Sequence, residues 1–126
     1  MAALRIAVAD DEPQVREYFK KILPLMGHEV VAAAANGREL LESCLALRPD
    51  LVITDINMSE LNGIEAASAI WREQAVPVIF VSAYSDAKKK TLAVEKHAPT
   101  FLVKPIKRQD LEAAIQRIIG RAGQSS

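Results

Sequence analysis

Short apolar runs alternate along the chain with longer stretches in which apolar residues recur every three or four positions. The runs are Leu4–Ala9, Val30–Ala34, Leu51–Thr54, Val76–Val81 and Phe101–Val103. They are rich in β-branched residues and lack strict apolar–polar alternation, the pattern of strands covered on both faces in a parallel sheet. Between them, Val15, Phe19, Ile22, Leu23 and Met26 fall on one helical face, as do Leu40, Leu41, Cys44 and Leu45 ahead of Pro49. Ile64, Ala67, Ile70 and Trp71 make a third stripe, and Leu111, Ala114, Ile115, Ile118 and Ile119 the clearest one. Ser85–His97 is the weakest helix, because Lys88, Lys89 and Lys90 leave it only Ala87, Leu92, Ala93 and Val94 to bury. The lysine run reads as a solvated face, and so thin a stripe as a helix held loosely enough to move.

Punctuation residues agree with these boundaries. Pro13 suits a first helical turn and Gly27 a helix exit. Asn36 followed three residues later by Glu39 has the form of a capping box. Pro24 removes a hydrogen bond at about 3 kcal/mol in a helix interior, so it is expected to distort the last turn of the first helix while leaving the element intact. Five strands alternating with five helices predict an α/β fold built on right-handed crossovers.

Composition narrows the class further. The chain has 126 residues, half of them hydrophobic, with 16 Lys+Arg against 16 Asp+Glu. That length suits one domain burying roughly two-thirds of its unfolded surface. Zero net charge argues against direct nucleic-acid binding, which needs a basic excess to neutralise phosphates. No run approaches the ~18 apolar residues of a membrane span, and no signal peptide precedes Asp10, so a soluble cytoplasmic domain is expected, with no membrane partner. The single cysteine, Cys44, permits no internal disulfide and reads as a small core group. Trp71 reads as the buried edge of the third helix, and His28 and His97 as surface residues. Residues 1–121 are expected to form the domain and 122–126 a polar tail or the start of a linker.

Chemistry collects at the strand ends, where open parallel sheets bind ligands. The first strand runs into Asp10 and Asp11, the third ends at Asp55, the fourth at Ser82, and the fifth delivers Lys104. Three carboxylates on one rim repel each other, and one lysine cannot balance them. A divalent cation can, and an oxygen-only donor set favours Mg²⁺. One carboxylate is then free to attack phosphorus, Asp55 being the candidate because its strand is central. Phosphoryl transfer needs its equatorial oxygens neutralised: the metal takes one, Lys104 a second and the Ser82 hydroxyl a third. Taken singly, each residue has a plainer reading as a helix cap, a loop carboxylate or a local hydrogen-bonding serine. Their joint arrival at four strand ends is what points to a site.

Ala9-Asp10-Asp11-Glu12, Asp55-Ile56-Asn57-Met58, Val81-Ser82-Ala83 and Val103-Lys104-Pro105 together resemble the receiver domain of bacterial two-component response regulators, of the CheY-like superfamily, across residues 4–119. The resemblance implies a doubly wound, flavodoxin-like fold with strand order 2-1-3-4-5. It implies that Asp55 accepts phosphate from a phosphohistidine of a sensor histidine kinase or phosphotransfer protein. Asp10, Asp11, Asp55 and the Asn57 carbonyl would hold Mg²⁺, with Asp10 acting through water, and Lys104-Pro105 would be a cis peptide. Ser82 and Phe101 would act as switch residues, and Asn57 and Tyr84 would tune phosphoryl lifetime. The switching surface would span the segment 85–97, the fifth strand and the last helix, serving an output domain or protein partner and offering a route to homodimerisation. Three positions depart from the common pattern: Ser59 for proline, Lys107 for a capping aspartate, and Ala98-Pro99 for Gly-Ala.

The leading expectation is a phosphorylation-activated signalling switch that catalyses only its own phosphorylation and dephosphorylation. The alternatives are a Mg²⁺-dependent phosphatase or phosphotransferase with an aspartyl nucleophile, which would need a second acid and a substrate cap, and a degenerate receiver used only for docking.

Overall fold

The computed structural model of the chain describes residues 3–83 and 100–124. In chain order it comprises β1 (Arg5–Ala9), α1 (Pro13–Leu25), β2 (Glu29–Ala34), α2 (Gly37–Leu47), β3 (Leu51–Asp55), α3 (Gly63–Trp71), β4 (Val78–Ser82), β5 (Thr100–Val103) and a C-terminal helix (Arg108–Gln124). All strand pairings are parallel, and the order across the sheet is β2-β1-β3-β4-β5. This is the doubly wound arrangement expected from the sequence, with β3 in the centre. The segment 85–97, read as the fourth helix, lies outside the described residues, as do Tyr84 and His97.

Each face of the sheet carries its own core because successive strand residues point to opposite sides. Ile6, Val8, Leu51, Ile53, Ile79 and Val81 face α1 and the C-terminal helix, where Phe19, Leu23, Leu111, Ala114 and Ile115 meet them. Ala7, Ala9, Val52, Val78 and Phe80 face the other way, against Leu40, Cys44, Ala66, Ala67 and Ile70 from α2 and α3. Fully burying side chains the size of Phe19 or Leu23 contributes about 1.5–3 kcal/mol each, which is why the strands need no polar face. Burial also pushes the Cys44 thiol up to about 12, making it an inert core group.

Several local expectations are met in detail. Pro13 opens α1, and Pro24 sits in its last turn, after which Gly27 exits at φ 89°. Others are corrected. Leu45, assigned to the α2 stripe, is 44% exposed, because the helix turns that position away from the sheet. The fourth strand begins at Val78, with Pro77 ahead of it offering only its carbonyl, to the Val52 amide. Asn36 accepts from the Glu39 amide at 2.9 Å, but the Glu39 carboxylate reaches past the cap to the Ala35 amide at 2.8 Å. The reciprocal capping box occurs instead at α3, between Asn62 and Glu65. His28 is buried, contrary to its surface reading, since its Nδ1 accepts the Leu4 amide at 3.0 Å. Ala122 to Gln124, expected to be tail or linker, continue the C-terminal helix.

Candidate functional site at the carboxyl edge of the sheet

β1, β3, β4 and β5 end on one edge, and their last residues meet there. Asp10 follows β1 directly, its amide bonded to the Ala34 carbonyl at 3.1 Å, and its side chain is 1% exposed. One Asp10 carboxylate oxygen accepts the Glu12 amide at 2.9 Å, and the other meets Lys104 Nζ at 3.0 Å. Asp55 closes β3 on the face that also holds Leu51 and Ile53, and it too is buried. Its backbone is held from behind: the Ile56 amide donates to the Val81 carbonyl at 3.1 Å, and the Gly63 amide to the Ile56 carbonyl at 2.7 Å. A side chain at Gly63 would overlap the Asp55 carbonyl oxygen, so only glycine lets α3 start this close to the strand end.

Asp10, Asp11 and Asp55 each present a carboxylate oxygen within 4.8 Å of the others. Lys104 reaches into this group from the end of β5, its amide anchored on the Ser82 carbonyl at 2.9 Å. Its ammonium lies 3.0 Å from Asp10, 3.2 Å from Glu12 and 3.3 Å from Asp55. The Lys104-Pro105 peptide is cis, as expected. Ser82 is 1% exposed at the end of β4, and its hydroxyl has no hydrogen-bond partner among the described residues. Asn57 and Ala83 line the small hollow above Asp55 together with Asp11 and Lys104.

The electrostatics show a site short of positive charge. Burial pushes the Asp55 carboxyl above its ordinary value and the negative charge of Asp10 adds to this, against opposing contacts from Lys104 and the Asn57 amide. Asp10 is likewise raised, first by burial and then by the charge of Asp11, although the Glu12 amide and Lys104 counter it. For Lys104 burial works the other way, but its hydrogen bond to Asp10 and the charges of Asp10 and Asp55 hold its pKa above the usual lysine value. One ammonium therefore does not neutralise the carboxylates. An all-oxygen donor set with unmet negative charge fits a hard divalent cation.

The structure thus brings Asp10, Asp11, Asp55 and Lys104 together, with Asn57 beside them and Ser82 at the end of the neighbouring strand β4. Phe101 lies farther along β5, half-buried, its ring stacked on Phe80 at a centroid distance of 5.3 Å. Tyr84, assigned to lifetime tuning, falls outside the described residues. Sequence reasoning gave no role to Glu12, which contacts Lys104, or to Arg16, whose guanidinium donates to the Asp10 carbonyl at 2.7 Å. Arg16 sits one helical turn after Glu12, a spacing that places both beside the strand end.

The chain has relatives among known proteins. The family profile of the response regulator receiver domain matches residues 6–116. The transcriptional regulatory protein PdtaR of Mycobacterium tuberculosis is 34% identical over 93% of this chain and 57% of its own length. A protein-glutamate methylesterase/protein-glutamine glutaminase of Archaeoglobus fulgidus is 39% identical over 81% of this chain, but only 30% of its own. The chain thus spans well under two-thirds of the length of these relatives. The crystal structure of a response regulator receiver domain protein from Clostridium thermocellum superimposes with a TM-score of 0.87 at 30% identity, covering 99% of this chain and all of that one. With its strand order, its acidic rim and its lysine at the end of β5, the chain belongs to the response regulator receiver domains, phosphorylation-activated switches of two-component signalling.

Proposed function

We propose that Asp55 is the phosphoacceptor, taking a phosphoryl group from a phosphohistidine on a sensor histidine kinase or phosphotransfer protein. The observation that carries this is the position of Lys104 Nζ, 3.3 Å from an Asp55 carboxylate oxygen on the central strand and 3.0 Å from Asp10. An Asp55 oxygen forms the new bond to phosphorus as the phosphorus–nitrogen bond breaks, and the released electron pair stays on the imidazole. Lys104 then takes the charge of one phosphoryl oxygen, and the Ser82 hydroxyl, buried and unpaired among the described residues, donates to another. Hydrolysis returns Asp55 to a carboxylate and releases inorganic phosphate, so the chain catalyses only its own modification.

Asp10, Asp11, Asp55 and the Asn57 carbonyl would hold Mg²⁺, which when bound supplies charge neutralisation for the phosphoryl oxygens. Asn57, at the mouth of the hollow, and Tyr84 tune how long the acyl phosphate lasts. Ser82 and Phe101 couple the phosphoryl group to a shift in population between two conformations, presented on β5, the C-terminal helix and the segment between β4 and β5. That surface controls a partner or an output domain. The receiver unit extends through the C-terminal helix to Gln124 and works in the cytoplasm without direct nucleic-acid contact. Among the described residues no helix is long and apolar enough to cross a membrane.

The test is Mg²⁺-dependent labelling of the chain by acetyl phosphate, an acyl phosphate that loses acetate on transfer. Wild-type protein should gain one phosphoryl group, and Asp55→Asn none. Equal labelling of both would remove Asp55 from this role.

A further inference from the structure

We infer that Glu12 is a positioning residue of the phosphoryl site, acting through Lys104, an inference that rests on the phosphoacceptor reading above. Glu12 occupies the N-cap position of α1, where its carbonyl accepts the Val15 and Arg16 amides at 3.1 and 3.3 Å. A serine, threonine, aspartate or asparagine at that position ordinarily turns its side chain back onto the first helical turn. Glu12 makes no such bond. One carboxylate oxygen instead meets Lys104 Nζ at 3.2 Å, and the other accepts from Gln14 Nε2 at 3.2 Å.

An ammonium has three N–H donors. In this structure three carboxylates lie around them: Asp10, Asp55 and Glu12. Two of these belong to the acidic group able to hold a cation, and Glu12 does not. Lys104 thus has one acidic partner that cation binding leaves free. Lysine is a point charge on a flexible stem with several rotatable bonds. A fixed carboxylate at the rim, itself braced by Gln14, holds that stem so that the ammonium stays aimed at Asp55. The same contact ties the start of α1 to the end of β5.

Because Glu12 is half exposed, water screens the contact, and its effect on rate is small: about two- to five-fold, the range of exposed ion pairs. The experiment measures the acetyl phosphate labelling rate at saturating Mg²⁺ for wild type, Glu12→Gln, Lys104→Ala and the double variant. Glu12→Gln keeps the shape of the side chain and its contact with Gln14 but removes the charge. Labelling should slow two- to five-fold when Lys104 is present and be unchanged by Glu12→Gln when Lys104 is alanine. Equal slowing in both backgrounds would assign Glu12 a general charge or folding effect and overturn the inference, as would an unchanged rate with Lys104 present. Absence of label on Asp55 in wild type would instead overturn the phosphoacceptor reading, and this inference with it.

Discussion

Replacing Ser82 with alanine should separate stability from function in opposite directions. The Ser82 hydroxyl is buried without a hydrogen-bond partner among the described residues. Leaving such a group unsatisfied costs about 1–3 kcal/mol. Alanine removes the hydroxyl and leaves a void smaller than a methylene, offsetting only a few tenths of a kcal/mol at ~24 cal/mol per Å³. Its weaker strand preference offsets a similar amount. The net expectation for Ser82→Ala is a gain of about 0.5–2 kcal/mol in the unliganded protein, or a Tm increase of about 2–8 °C for a domain of this size. Urea unfolding followed by circular dichroism, without Mg²⁺, measures it directly. Beryllofluoride with Mg²⁺, which imitates a phosphoryl group on Asp55, should reverse the order. The wild-type hydroxyl then gains a charged acceptor worth about 1.5–3 kcal/mol, so ligand should stabilise wild type more than the variant. A Ser82→Ala protein less stable than wild type without ligand would mean that the hydroxyl has a partner and that no such gain exists.

Two further outcomes test a support of the site and a buried histidine at the opposite edge of the sheet. Gly63→Ala forces a methyl group into the Asp55 carbonyl and to within 3.1 Å of the Ile56 Cα, so it should destabilise by about 1–3 kcal/mol and slow phosphorylation together, as read by urea unfolding and labelling rate. An unchanged labelling rate would mean that the α3 start does not position Asp55. Burial lowers the His28 pKa below its ordinary value, so the unfolded chain takes up the proton first as pH falls. The stability this residue contributes is therefore full above its unfolded pKa of about 6.5 and lost as pH drops below it toward the folded value. His28→Asn keeps an acceptor for the Leu4 amide but does not titrate, so its urea stability should fall less than that of wild type between about pH 7.5 and pH 5.5.

Strands buried on both faces leave continuous apolar runs, and those runs located all five strands to within two residues at either end. Their order followed from the resemblance to receivers, and the site from strand-end residues that are polar where the runs are not. What stayed hidden depends on which way a side chain turns. Glu12 looks like any acidic residue at a helix start, and only the fold brings Lys104, ninety-two positions along the chain, within 3.2 Å of it. Asn36 and Glu39 have the spacing of a capping box, yet the Ala35 amide lies within reach and takes the carboxylate. Asn62 and Glu65 have that spacing too and complete the box. His28 follows a helix exit, a usual place for an exposed residue, but the Leu4 amide needs an acceptor there. Leu45 fits the stripe by spacing, but the contact face of α2 is too narrow to include it.

The central claim is that Asp55 carries the phosphoryl group. Its most direct test is to label the chain with acetyl phosphate and Mg²⁺, reduce the acyl phosphate with borohydride, and locate the resulting homoserine by tandem mass spectrometry. Homoserine is expected at position 55 and at no other aspartate. Homoserine at Asp10 or Asp11, with none at 55, would contradict it.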